Sequence, residues 1–150
     1  MTHRRMTLSL TLLAGLTLLL LGCEAGAKSS AGFRLPDGDP AKGRQVVADM
    51  KCYVCHRVAG GELPVPTADP PVPVVLGGEV PHPKTDGELV TAIINPSHTI
   101  TPARRTEQVK SGDMSRMPDF GELMTVRQMI DLVAFLQSRY TVVRPSIPPK

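Results

Sequence analysis

Cys52-Tyr53-Val54-Cys55-His56 decides how the rest of this 150-residue chain is read. Two thiols three positions apart, with a histidine directly after the second, form the C-x-x-C-H signature of covalent c-type haem attachment. Each thiol can add across one vinyl group of the ring to give a thioether. The adjacent imidazole can then reach the iron from the same side. Cys-x-x-Cys alone also suits a thioredoxin-type redox pair, a structural disulfide or half of a zinc site. A zinc site needs two further ligands. The remaining cysteine, Cys23, ends an export signal, and His82 and His98 stand far outside the usual finger spacing. A thioredoxin-like pair would be expected near a βαβ pattern, and none is visible. The expectation is one covalent haem on Cys52 and Cys55, with His56 as an axial ligand of the iron.

Upstream of the motif, Asp39-Pro40 marks a helix start, because aspartate caps well and proline suits the first helical position. That helix carries Val46, Val47 and Met50 and delivers the motif at its C-terminal end. Further back, residues 1–22 read as a targeting segment. Arg4 and Arg5 form a basic n-region, and Thr7 to Leu21 an apolar stretch too short for a comfortable membrane span. Leu20-Leu21-Gly22-Cys23 resembles the bacterial lipobox, in which cleavage follows the small residue and the new N-terminal cysteine is lipidated. An ordinary cleaved signal and an uncleaved anchor are the alternatives. A lone unpaired thiol is a liability in an oxidising compartment, which favours lipidation of Cys23. Glu24 follows where an aspartate would resemble an inner-membrane retention signal, so the outer membrane is preferred if two membranes exist. Residues 23–38 read as lipid anchor and flexible linker, 39–142 as one domain, and 143–150 as a C-terminal tail. Haem attachment of this kind is completed outside the cytoplasm, so the export signal and the haem motif support each other.

Composition agrees. Three Phe, two Tyr and no Trp make a thin aliphatic core for about 100 residues. A buried haem would add the missing apolar bulk, and the apoprotein is expected to fold poorly. The net charge of +3 falls to +1 without Arg4 and Arg5, and two haem propionates would make it slightly negative. Nothing suggests a nucleic-acid partner.

Downstream, Ala59 to Pro83 holds seven prolines, so no helix persists there. The stretch is expected to wrap the haem edge. A carbonyl of Pro71 or Pro73 is expected to accept the Nδ1 proton of His56, orienting the ring. Thr85-Asp86-Gly87-Glu88 is a capping box that opens a helix with Leu89, Val90, Ile93 and Ile94, ended by Asn95-Pro96. Thr101-Pro102 can start a short helix closed near Gly112. Thr125 and Gln128 form a second capping box, with Met124 and Met129 placed as a staple. Met129, Leu132, Val133, Leu136 and Tyr140 then mark one apolar face. No strand signal is strong enough to predict one, so the fold class is all-α.

A six-coordinate haem needs a ligand opposite His56. Met114, Met117, Met124, Met129, His82 and His98 can be considered. Met117 stands out, because Ser115-Arg116-Met117-Pro118-Asp119-Phe120 is a polar loop before the last helix and Pro118 stiffens it. Met114 is the runner-up. Arg116, beside that loop, is a candidate for partner docking. Arg104 and Arg105 are propionate candidates but read better as solvated helix residues.

These features resemble a class I, mitochondrial-type monohaem cytochrome c over roughly Asp39 to Tyr140. A glycine-containing helix leads into C-x-x-C-H, and a Met-Pro loop precedes a C-terminal helix that crosses the first. Gly43 matches the glycine that lets the two helices approach, and Phe135 falls where it would pack on it. The proline-rich loop departs from the family's usual glycine-proline-leucine pattern. The resemblance implies a small cytochrome c-like fold around one covalent haem, and a non-enzymatic one-electron carrier that exchanges electrons with redox protein partners. Alternatives are a haem c subunit of a larger respiratory or oxidoreductase complex, and a five-coordinate gas-binding haem sensor.

Overall fold

Helix α1, Pro40–Asp49, begins where capping chemistry places it. The Asp39 carboxylate accepts the backbone N–H of Ala41 at 2.9 Å and of Lys42 at 3.3 Å, and Pro40 takes the first turn. The computed structural model describes residues 33–60, 63–64, 66–67, 74–100 and 107–143. Helix α2, Asp86–Ile94, opens on a complete box. Glu88 N–H donates to Thr85 Oγ1 at 3.2 Å, and Thr85 N–H donates back to Glu88 Oε2 at 2.9 Å. Helix α3, Val126–Arg139, repeats the device with Thr125 and Gln128. Both boxes stand as the sequence predicts, and α2 ends on Asn95.

Helices α1 and α3 cross in close contact, and Gly43 is the reason they can. A Cβ on Gly43 would run into the carbonyl of Asp131 and come within 2.6 Å of Phe135 Cβ. Phe135 therefore packs where expected. The core gathers Val46 and Val47 of α1, Leu89 and Ile93 of α2, and Met129, Leu132, Val133, Phe135 and Leu136 of α3. Burying each such side chain is worth about 1.5–3 kcal/mol. Tyr140 leaves the helical face. It is the C-cap of α3 and only half-buried, while Ile130 and Phe135 widen the buried stripe.

One charged group lies inside this interface. Asp131 is 4 % exposed, and its Oδ1 accepts the backbone N–H of Asp39 at 2.9 Å. A buried carboxylate is tolerated when hydrogen-bonded, and the start of α1 is where the helix dipole favours negative charge. The residues before α1 are also held. Leu35 N–H donates to Asp86 Oδ2 at 2.9 Å, and Leu35 packs against the core, so the flexible-linker reading stops short of Leu35. Residues 1–32 lie outside the described residues, and with them the targeting segment and Cys23.

The all-α expectation needs correction. Among the described residues, three two-stranded ladders accompany the helices. β1, Arg57–Val58, pairs in parallel with β2, Val75–Leu76. β3, Gly78–Val80, pairs in parallel with β6, Tyr140–Val142. β4, Lys110–Ser111, and β5, Met114–Ser115, form an antiparallel hairpin. Each strand has two or three residues, too few for alternation to show in sequence. Gly77, at φ +95°, lets the chain turn between β2 and β3, where a Cβ would come within 2.7 Å of Arg139 Cβ. The helix expected to close near Gly112 is replaced at its end by a turn over 107–109 and then β4; Thr101 to Thr106, including Arg104 and Arg105, lie outside the described residues. So do the residues of the tail beyond Val143. No helix among the described residues is long and apolar enough to cross a membrane.

Candidate haem-attachment site

Helix α1 ends at Asp49, short of the motif, and the chain turns sharply before the first cysteine. Lys51 adopts φ 55°, ψ 31°, a left-handed conformation that costs a non-glycine residue about 1–2 kcal/mol. The reversal feeds a 3-10 turn over Cys52–Val54. Cys55 N–H donates to Cys52 carbonyl at 3.3 Å, and His56 N–H donates to the same oxygen at 2.9 Å. In a 3-10 turn residues i and i+3 stand nearly in register. Cys52 and Cys55 are thus presented one turn apart on one side, as attachment to two vinyl groups of one ring requires.

The thiols are not joined to each other; Cys52 is half-buried and Cys55 exposed. Burial pushes the Cys52 thiol up from its ordinary value, a backbone hydrogen bond opposes this, and the neighbouring Cys55 adds to the rise. A catalytic thiol of a disulfide oxidoreductase has the opposite bias. Nor does a zinc set assemble: among the described residues no three His, Cys, Asp or Glu side chains gather to hold a metal ion.

His56 is oriented from behind. Its Nδ1 lies 3.1 Å from the carbonyl of Val74, so Nδ1 bears the proton and Nε2 is the nitrogen suited to a metal. The acceptor is Val74, not the expected Pro71 or Pro73, both of which lie outside the described residues. The β1–β2 ladder sets this contact. Arg57 pairs with Val75 and Val58 with Leu76, and Ala59 N–H donates to Leu76 carbonyl at 2.8 Å. That register places the carbonyl before Val75 beside the residue before Arg57. Thr67 N–H also donates to Val54 carbonyl at 3.1 Å, tying the proline-rich segment to the motif.

Met117 lies in a loop held by hydroxyls. Its N–H donates to Ser115 Oγ at 3.1 Å, and Ser115 N–H donates to Ser97 Oγ at 3.0 Å. The hairpin β4–β5 turns at Gly112–Asp113. Arg116 closes it by donating from N–H to Val109 carbonyl at 2.8 Å and from Nε to Lys110 carbonyl at 3.2 Å. Phe120 N–H reaches Ile93 carbonyl at 3.5 Å, bringing the loop to the end of α2. Met117 is half-buried, whereas Met114 is 63 % exposed. His82 and His98 are exposed, Met129 is in the core, and Met124 packs against it.

Sequence reasoning missed Val74, Ser97 and Asp131. Ser115 had a signal, since serine hydroxyls bond the backbone two residues on. The acceptor role of Val74 had none, because any residue offers a carbonyl.

The donor chemistry fits one porphyrin: two thiols in one turn, an imidazole with its outer nitrogen committed, and a half-buried thioether in a stiffened loop. Half-buried apolar side chains beside the core, among them Met50, Leu63, Leu76, Val90 and Phe120, suit an apolar ring. Together these define a small helical haem protein. A family model described as Cytochrome c matches residues 40–139, two thirds of the chain. The chain belongs to the cytochrome c family. It carries covalently bound haem c and acts as an electron carrier among redox protein partners. No curated protein and no solved structure matches it.

Proposed function

We propose that this protein is a class I monohaem cytochrome c that carries single electrons while tethered to a membrane through a lipid on Cys23. It faces the periplasm or cell exterior, on the outer membrane where two membranes exist. Haem c supplies the one-electron couple. Cys52 and Cys55 would hold the ring by thioethers, and His56 Nε2 and the Met117 sulfur would be the ligands to its iron. Val74 fixes the imidazole in the tautomer that can bind metal and raises its basicity. Ser115 and Pro118 keep a weak thioether in place, and a methionine ligand raises the potential relative to a second histidine. With both faces held, no substrate position is needed.

The observation that carries this reading is the Nδ1 contact of His56 with Val74 carbonyl at 3.1 Å, directly after a turn that pairs the two thiols. One visible and near-infrared spectrum of the purified holoprotein tests it. A six-coordinate ferric spectrum with the long-wavelength methionine–iron band, and no uptake of carbon monoxide by the ferrous form at neutral pH, is expected. Ready uptake would overturn Met117 as ligand and favour an open-site sensor. Extraction as a monomer is expected of a free carrier, and co-purification with a fixed set of subunits would assign it to a larger complex.

A further inference from the structure

The ladder that brings Val74 to His56 is short: β1 is Arg57–Val58 and β2 is Val75–Leu76. The strands run parallel, so both enter at the end where His56 and Val74 meet and both leave at the other. Two strands this short are not stable without outside support. At the exit end Ala59 N–H donates to Leu76 carbonyl at 2.8 Å. A side chain from the last helix reaches across that end.

That side chain is Arg139, in the last turn of α3. Its Cβ sits beside Gly77, the residue directly after β2, where an added Cβ would lie 2.7 Å from it. Its Nη1 lies 3.1 Å from where a Cβ on Gly60 would stand, just beyond β1. One arginine thus covers the exits of both strands, its stem on one and its guanidinium on the other.

The guanidinium is posed by its own helix. It stands over the Phe135 ring, with Cζ 5.1 Å from the centroid, and Nε donates to Ser138 Oγ at 3.2 Å. Ser138 Oγ in turn donates to Phe135 carbonyl at 2.6 Å. Positive charge also suits the C-terminal end of a helix. Phe135 is in the core and packs on Gly43, so the brace is fixed to the α1–α3 crossing. The main chain beyond Arg139 is held separately, by the pairing of β6 with β3. The arginine side chain can therefore be shortened without releasing the end of α3.

We propose that Arg139 is a positioning residue for the haem ligand His56: it braces the exit of the β1–β2 ladder against the α1–α3 crossing, and so keeps Val74 carbonyl on Nδ1. This rests on the assignment of His56 as a ligand to the iron. The bonds that reach the imidazole are backbone; the side chain that steadies their ladder belongs to α3. Ala59 is about 10 Å of extended chain beyond His56. Arg139 therefore acts through the ladder, without touching the imidazole. A steady Nδ1–H···O bond makes the ring a stronger donor and favours the ferric state, so the brace holds the potential down.

The test uses nuclear magnetic resonance of the isotope-labelled ferrous holoprotein, with the reduction potential measured alongside. In the unsubstituted protein the His56 ring protons should be displaced far upfield by the haem. Arg139→Ala should speed solvent exchange of His56 Nδ1–H and of Ala59 N–H several-fold, leave the Val133 amide in the crossing helix unchanged, and raise the potential. Equal acceleration at Val133 would mean general destabilisation and overturns the proposal, as does an unchanged Nδ1–H. Arg139→Lys keeps the charge but cannot stack as a plane or donate from Nε. It should show the same pattern, and it decides the matter if the alanine variant does not fold. A lysine variant indistinguishable from the unsubstituted protein overturns the brace. His56 ring protons at ordinary positions would instead refute His56 as ligand, and this proposal with it.

Discussion

On the proposed assignment the His56 side and the Met117 side of the molecule would each offer a ligand to one ring, but different bonds hold them. On the His56 side the restraints are backbone. A left-handed Lys51, a 3-10 turn and the β1–β2 ladder bring Val74 carbonyl to the imidazole. Behind them stands the α1–α3 crossing, closed at Gly43. On the Met117 side two serine hydroxyls and a two-strand hairpin hold the loop. Backbone bonds survive most substitutions, whereas a hydroxyl goes with a single one. The first side therefore has a built-in geometry, and the second is adjustable.

The largest break comes from the attachment turn itself. Cys52→Ala with Cys55→Ala is expected to abolish haem that survives denaturation, read by haem staining after denaturing electrophoresis. Next is the crossing behind it. Gly43→Ala forces a methyl group into the Asp131 backbone, and a loss of about 3 kcal/mol or more is expected in denaturant unfolding of the holoprotein. The Met117 side should respond differently. Met117→Ala should keep covalent haem, lose the methionine band, lower the potential and admit carbon monoxide. An unchanged spectrum would show that another ligand binds.

Smaller changes sharpen the contrast. Ser115→Ala removes one hydrogen bond to the Met117 backbone, worth about 1 kcal/mol, and should ease displacement of the methionine by added imidazole. Substituting Val74 with Ala should leave the His56 contact intact, because the acceptor is backbone. The smallest effect belongs to neither side. Backbone hydrogen bonding from Thr85 holds the Glu88 carboxyl below its usual range of about 4.5, against a smaller opposing effect of burial. A depressed folded value stabilises the protein above that range, and the contribution fades as pH falls through the folded value. Glu88→Gln keeps the capping box and should flatten that acid-side slope in thermal unfolding followed against pH.

Much of this was legible before any fold was seen, because its causes are local. The three helix starts follow from Asp39-Pro40, Thr85/Glu88 and Thr125/Gln128, where a side chain answers an N–H three residues or fewer away. The thiol and imidazole spacing is likewise local chemistry. Gly43 and Phe135 were read through resemblance, and the contact between them bears that out. The strands were not legible. Two or three residues carry no period, and β1–β2 and β3–β6 join segments far apart in the chain.

The amino-acid sequence alone thus determined one covalent haem and the capped starts of the helices, and it singled out the Met117 loop as the candidate for a second ligand. Those follow from residue type at short spacing. Tertiary structure decided which carbonyl steadies His56 and why an aspartate can sit buried between α1 and α3. Each of these depends on backbone groups that every residue possesses, or on neighbours such as Asp39 and Asp131 that only folding brings together.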